Sequence, residues 1–225
     1  MAMRNKVKIT KRQIKEDRFT TNMLLAKDWI MENWQMVSIV AAIAVIIIVA
    51  VAYFINVGKS RETEASDRYY RAMAEFRRQN YQPAILEFTS IADDYSGQIA
   101  GLAQFNLANA HFESKNYDEA ITNFQKYIDK FHGDKLMTAS AYAGIGASLE
   151  NKSEFGAAAD KFMEAINYYP DSPGAPDYYL GAVRNYVMAG DADKADKTLK
   201  ELQEKFSGSN QARSATRLVM RLKIQ

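Results

Sequence analysis

Residues 36–55 read M-V-S-I-V-A-A-I-A-V-I-I-I-V-A-V-A-Y-F-I, twenty positions without a charge or a proline and with one hydroxyl, Ser38. At about 1.5 Å of rise per residue such a run covers the roughly 30 Å hydrocarbon core of a bilayer. In lipid a lone segment must satisfy its own backbone polar groups, so the expectation is a helix. A buried core helix is normally interrupted by polar residues every turn. Ala50-Val51-Ala52 has the look of a signal-peptidase site, but the run is longer than the about 7–15 residues of a signal sequence and 35 residues precede it. The reading is an uncleaved single span, with residues 1–35 on one side, a linker or helix extension over 56–64, and one domain over 65–225.

Basic residues orient it. Eight stand before the run, from Arg4 to Lys27, and four in the twenty residues after it, Lys59, Arg61, Arg68 and Arg71. The positive-inside rule then puts the N-terminus in the cytoplasm and residues 65–225 across the membrane. Trp29, Trp34, Tyr53 and Phe54 are expected as interfacial anchors. Residues 1–18 show no sustained period and read as a mobile tail. Phe19, Met23, Ala26, Ile30 and Trp34 recur at helical spacing and predict an amphipathic juxtamembrane helix.

Beyond the span, basic and acidic residues nearly balance, which excludes a phosphate-neutralising nucleic-acid surface. The absence of cysteine rules out disulfides, thiol catalysis, cysteine-ligated zinc and a lipidated N-terminal cysteine.

The same stretch repeats itself. Ala84, Ala120, Ala158 and Ala195 lie 36, 38 and 37 residues apart. Four residues after each stand Phe88, Phe124, Phe162 and Leu199, and eleven after each Tyr95, Phe131, Tyr169 and Phe206. Twelve residues before each stand Ala72, Ala108, Gly146 and Val183. A period of this length signals a stacked array of supersecondary units. A small residue lets two antiparallel helices approach, and the aromatic one turn on closes the contact. Gly97, Gly133 and Gly208 are expected to end the second helices in a left-handed cap.

The 12-residue spacing between small residues, the N-Y-x-x-A turns at Asn80–Ala84 and Asn116–Ala120, and the following phenylalanine resemble the tetratricopeptide repeat, from Ala65 to about Gln211. Of the family's proline slot only Pro170 remains, and its tryptophan is absent. The predicted fold is all-α: a transmembrane helix, then a tetratricopeptide-like α-solenoid of about four hairpins, then a C-terminal helix. The whole layout, with W-I-M-E-N at Trp29–Asn33 before the span and R-L-K-I-Q at the end, resembles the YfgM-like ancillary subunits of the bacterial Sec translocon. That resemblance implies a periplasmic scaffold or co-chaperone whose partners are Sec translocon subunits and periplasmic chaperones. An envelope-assembly or cell-division scaffold, serving outer-membrane or peptidoglycan machinery, is the alternative. An organellar import receptor would need the domain in the opposite compartment.

An array of this kind presents a concave face lined by the first helix of each pair. The register puts there Tyr69, Met73 and Phe76, then Phe105, Asn109 and Phe112, then Ala143 and Ala147, then Leu180, Arg184 and Val187. The expected ligand of so apolar a face is an amphipathic helix or an extended apolar peptide.

Catalytic signals are thin. His111 and His132 form no metal-ligand spacing with each other or with carboxylates. Gly144-Ile145-Gly146 follows no strand, so it is read as helix packing. Asp93-Asp94 and Asp118-Glu119 read as solvated helix faces. No catalytic residue, metal, cofactor or small-molecule substrate is expected.

Overall fold

The computed structural model describes residues 11–222, which form ten α-helices. They fall into two compact units, one up to Ser60 and one from Arg61 onward.

In the first unit, α1 (Lys11–Glu32) is followed after Asn33 by the start of α2 (Trp34–Arg77). The mobile tail expected over 1–18 is corrected for residues 11–18, which are helical, while residues 1–10 lie outside the described part. The cause is composition: α1 contains neither glycine nor proline and is rich in Lys, Arg, Gln and Glu. Its apolar residues also spread wider than one stripe, since Leu24, Leu25 and Met31 join Phe19 and Met23 as exposed side chains. Asn33 marks the joint with α2. Its amide still donates to Trp29 O and its carbonyl accepts from Val37 N, both at 3.0 Å, so the ladder continues across the turn.

The stretch after the apolar run resolves as helix extension. α2 runs 44 residues without a break, through Gly58 and the charged passage, to Arg77. Its last turns serve as the first helix of the repeat array.

The second unit then alternates. Residues 61–77 of α2 pair with α3 (Tyr81–Asp94), α4 (Gly97–Glu113) with α5 (Tyr117–Phe131), α6 (Lys135–Asn151) with α7 (Phe155–Tyr168), and α8 (Ala175–Met188) with α9 (Ala192–Phe206). α10 (Asn210–Leu222) packs on α8 and α9, where the first helix of a further pair would stand. Its buried face is Ala212, Ala215 and Val219, while Arg213, Arg217 and Arg221 form an exposed row.

The register alanines Ala84, Ala120, Ala158 and Ala195 are all fully buried, as are Ala108 and Val183 from the matching first-helix sites. Phe88 and Phe124 are at most 2% exposed, each burial contributing roughly 1.5–3 kcal/mol. Three overlapping clusters run along the array, the first spanning Ala72 to Ala110, the second Ala108 to Ala158 and the third Ala143 to Val219. Each cluster draws on neighbouring pairs, and Tyr142 packs against both the second and the third.

The left-handed positions are not where the glycines suggested. Gly133 and Gly208 do not adopt positive φ; Gly97 does, but as the first residue of α4. The recurrent left-handed residue instead sits in the turn inside each pair: Gln79, Lys115 and Ser153, each at φ 64°, and Gly190 at 76°. Each turn closes with the same two bonds. Lys115 N donates to Phe112 O and Asn116 N to His111 O, and the other three turns repeat this five residues before the register alanine. This double bond satisfies the last carbonyls of the first helix and requires a left-handed residue at its centre.

Candidate protein-binding face

The first helices lie side by side. Asn106 Nδ2 on α4 donates to Tyr69 Oη on α2 at 2.9 Å; the Ser140 and Tyr178 hydroxyls share a bond of 3.1 Å between α6 and α8; Gln211 on α10 donates to Asp177 on α8 at 2.8 Å. The residues expected on the exposed face of this layer are brought together repeat by repeat, and most are half-buried.

Tyr69, Met73 and Phe76 pack on the first cluster, with the Tyr69 ring 5.9 Å from Phe88 and Phe76 edge-on to Tyr81 at 5.8 Å. Burial pushes the Tyr69 phenol above its ordinary value. Phe105 meets Phe124 at 5.6 Å and Tyr127 at 5.4 Å; Phe112 repeats the Phe76 contact, edge-on to Tyr117 at 5.8 Å. Asn109 is half-exposed between them. Ala143 is buried, and Ala147, Leu180 and Val187 pack against the third cluster. These side chains brace the array with one edge and present the other.

Arg184 is tied within the array. Its Nε and Nη2 donate to the two Glu150 oxygens at 2.6 and 2.7 Å, a fork-to-fork pair that bridges α8 to α6. Burial pushes the Glu150 carboxyl up, but the bonds from Arg184 and Asn185 more than offset this and hold it below its ordinary value.

Two large residues escaped the sequence reading. Tyr70 is 69% exposed and Met188 59%, and both fall on the same flank of the predicted stripe. Tyr70 was overlooked because its neighbour Tyr69 fills the register position; only accessibility separates adjacent tyrosines on a helix.

The two histidines sit in different settings. His111 Nδ1 is buried without a hydrogen-bond partner, and burial lowers its pKa from the ordinary 6.5. His132 Nδ1 lies 3.1 Å from Ile128 O at the end of α5. Among the described residues no group of three His, Asp or Glu side chains could hold a metal ion. The face offers contact surface and hydrogen-bonding amides, which suits the binding of another chain.

Sequence comparison agrees with the geometry. Residues 27–141, slightly more than half of the chain, match a tetratricopeptide repeat-like domain model. The chain belongs to that family. Residues 177–209 separately match a tetratricopeptide repeat model. No curated protein matches the chain in sequence.

Solved structures share the fold at low identity. A tetratricopeptide repeat protein from Parabacteroides merdae aligns with TM-score 0.60 at 9% identity, over 71% of this chain and 60% of that one. The TPR-like repeats of a kinesin light chain candidate from Podosopora anserina align with TM-score 0.55 at 12% identity, over 71% and 84%. MamA from Desulfovibrio magneticus gives 0.53 at 15% identity, over 65% and 77%. The repeat array identifies a protein-interaction scaffold.

Proposed function

We propose that this tetratricopeptide repeat protein is a single-pass scaffold or co-chaperone of the bacterial inner membrane, with a cytoplasmic N-terminus, a span over 36–55 and a periplasmic repeat domain associated with the Sec translocon. The observation that carries the anchor is the exposure of α2: Ile46, Ile48 and Phe54 are 67%, 66% and 72% exposed, and none of the most apolar window is buried. Left in water, at roughly 1.5–3 kcal/mol per large apolar side chain, such a helix forgoes tens of kcal/mol of burial. A bilayer removes that cost. The matched family region also begins at residue 27, so apolar helix and repeats fall within one family model.

Orientation rests on the basic excess before the span, and the Sec association on the resemblance of the layout to YfgM-like subunits. The binding face is the stripe of Tyr69, Met73, Phe76, Phe105, Asn109, Phe112 and Arg184, with Tyr70 and Met188 flanking it. Its ligand is an amphipathic helix or extended apolar segment of an emerging secreted protein or of a partner subunit.

Because the chain has no cysteine, orientation can be tested against a silent background. Glu113→Cys should react with a membrane-impermeant maleimide applied from the periplasmic side, and Lys27→Cys should not; the reverse pattern refutes the orientation. Photoreactive residues at Phe76 and Phe112 should crosslink Sec subunits or periplasmic chaperones. Crosslinks mainly to outer-membrane or peptidoglycan assembly factors would instead support the envelope-scaffold reading.

A further inference from the structure

A cavity opens where the turn into α4 meets the turn between α5 and α6, with Tyr127 as the wall that backs the stripe residue Phe105. It holds about 810 Å³. Its walls are Leu102 from α4, Tyr127 and Phe131 from α5, and Met137 from α6, with Lys130 and Lys135 among the residues around it. Tyr127 and Phe131 stack with their planes 27° apart, so the aromatic wall is rigid.

Basic side chains outnumber acidic ones in the lining two to one. Asp134 is the one acidic residue in the lining; its Oδ1 caps α6, accepting from Leu136 N at 2.8 Å and Met137 N at 3.0 Å, and the carboxylate charge offsets one of the two lysines. Lys130 and Lys135 are both exposed, and Lys130 Nζ lies 5.1 Å from the centre of the Phe131 ring. The N-terminus of the 17-residue α4, whose Ser96 makes no side-chain cap, adds positive potential at the same rim. Apolar walls under a cationic rim select a group that is apolar and anionic at adjacent positions.

We propose that this cavity is a second peptide-docking site, adjoining the stripe where Tyr127 backs Phe105, which takes a large apolar side chain next to an acidic residue in an extended segment of a partner protein. The apolar side chain enters between Leu102, Phe131 and Met137, and the carboxylate meets Lys130 and Lys135. Its size, within the about 300–1,000 Å³ range of ligand pockets, accommodates more than one side chain.

The test uses the full chain in lipid nanodiscs with 13C-methyl methionine. Met137 reports on the cavity and Met73 on the stripe. The probe is the peptide acetyl-Gly-Gly-Phe-Asp-Gly-Gly-amide, titrated to about 5 mM, the regime in which a ~1 mM site saturates. We expect a saturable shift of Met137 with Met73 unmoved. The dissociation constant should rise about fivefold in Lys130→Gln/Lys135→Gln and to a similar degree when Asn replaces the peptide's Asp, in keeping with two exposed charge contacts. Both lysines are exposed, so this variant should keep the unliganded methionine spectrum of the wild type. A still Met137 signal, a shift at Met73 in its place, or an affinity unchanged by the lysine substitutions overturns the proposal.

Discussion

Gly144→Ala tests whether neighbouring repeats interlock as the structure has them. An alanine Cβ at this position on α6 would stand 2.5 Å from Phe124 Cζ and 2.6 Å from Cε2. Carbon atoms prefer about 3.5–4.0 Å, so roughly 1 Å must be found. Phe124 cannot supply it, being 2% exposed and held edge-on by Phe105. Overpacking of this kind costs about 1–3 kcal/mol, while replacing a helical glycine with alanine contributes about 0.5–1 kcal/mol in the other direction. The net expectation is a loss of about 1–2 kcal/mol, a fall of roughly 3–6 °C in Tm for a unit of this size. Gly156→Ala on α7 is the control, because its Cβ meets nothing within 4 Å; it should raise Tm slightly. The assay is thermal unfolding of the full chain in mild detergent, followed by circular dichroism at the helical band. Phe124→Leu shortens the obstructing ring, so in a double-mutant cycle it should recover about 1 kcal/mol of the Gly144→Ala loss. A Gly144→Ala protein as stable as wild type, or a cycle with no coupling, would refute the interlock.

Other expectations follow from the same coordinates. Lys115→Gly removes a left-handed side chain that costs about 1–2 kcal/mol, partly offset by glycine's about 0.5–1 kcal/mol of chain entropy; Tm should rise, and Gly190→Ala should lower it by a comparable amount. His111 is pushed below its ordinary 6.5 by burial, so its share of stability is full above 6.5 and falls as pH drops from there through the depressed value. His111→Leu should flatten that part of the stability profile measured by urea unfolding. Glu150, also held below its ordinary 4.5, contributes above that value and loses the contribution as pH falls through its lowered one; Glu150→Gln should reduce the acid sensitivity below 4.5 while lowering stability at neutral pH. Tyr70→Ser, at a mostly exposed site, should leave the unfolding free energy within about 0.5 kcal/mol of wild type and yet weaken crosslinking from the first helices.

Much of the fold was legible because the array repeats. Ala84, Ala120, Ala158 and Ala195 each mark a point where two helices touch, and a residue that must be small in every copy leaves a period in the chain. The stripe proposed for binding could be listed from the sequence but not drawn as a surface. Phe76 and Phe112 prove to brace the turn tyrosines Tyr81 and Tyr117, and Arg184 is consumed by Glu150, because partners drawn from other helices decide how much of each side chain is left over.

The sequence by itself determined the helical class, the pairing of helices and the apolar run of α2, since each follows from local composition or from a spacing that any neighbouring copy repeats. Tertiary structure alone decided that Gln79, Lys115 and Ser153 carry the left-handed turns, that the Phe124 ring fills the space above Gly144, and that Lys130 and Lys135 meet Leu102, Phe131 and Met137 around one cavity. These depend on which groups meet across helices far apart in the chain, where a pairwise distance of a few tenths of an ångström changes the sign of an interaction.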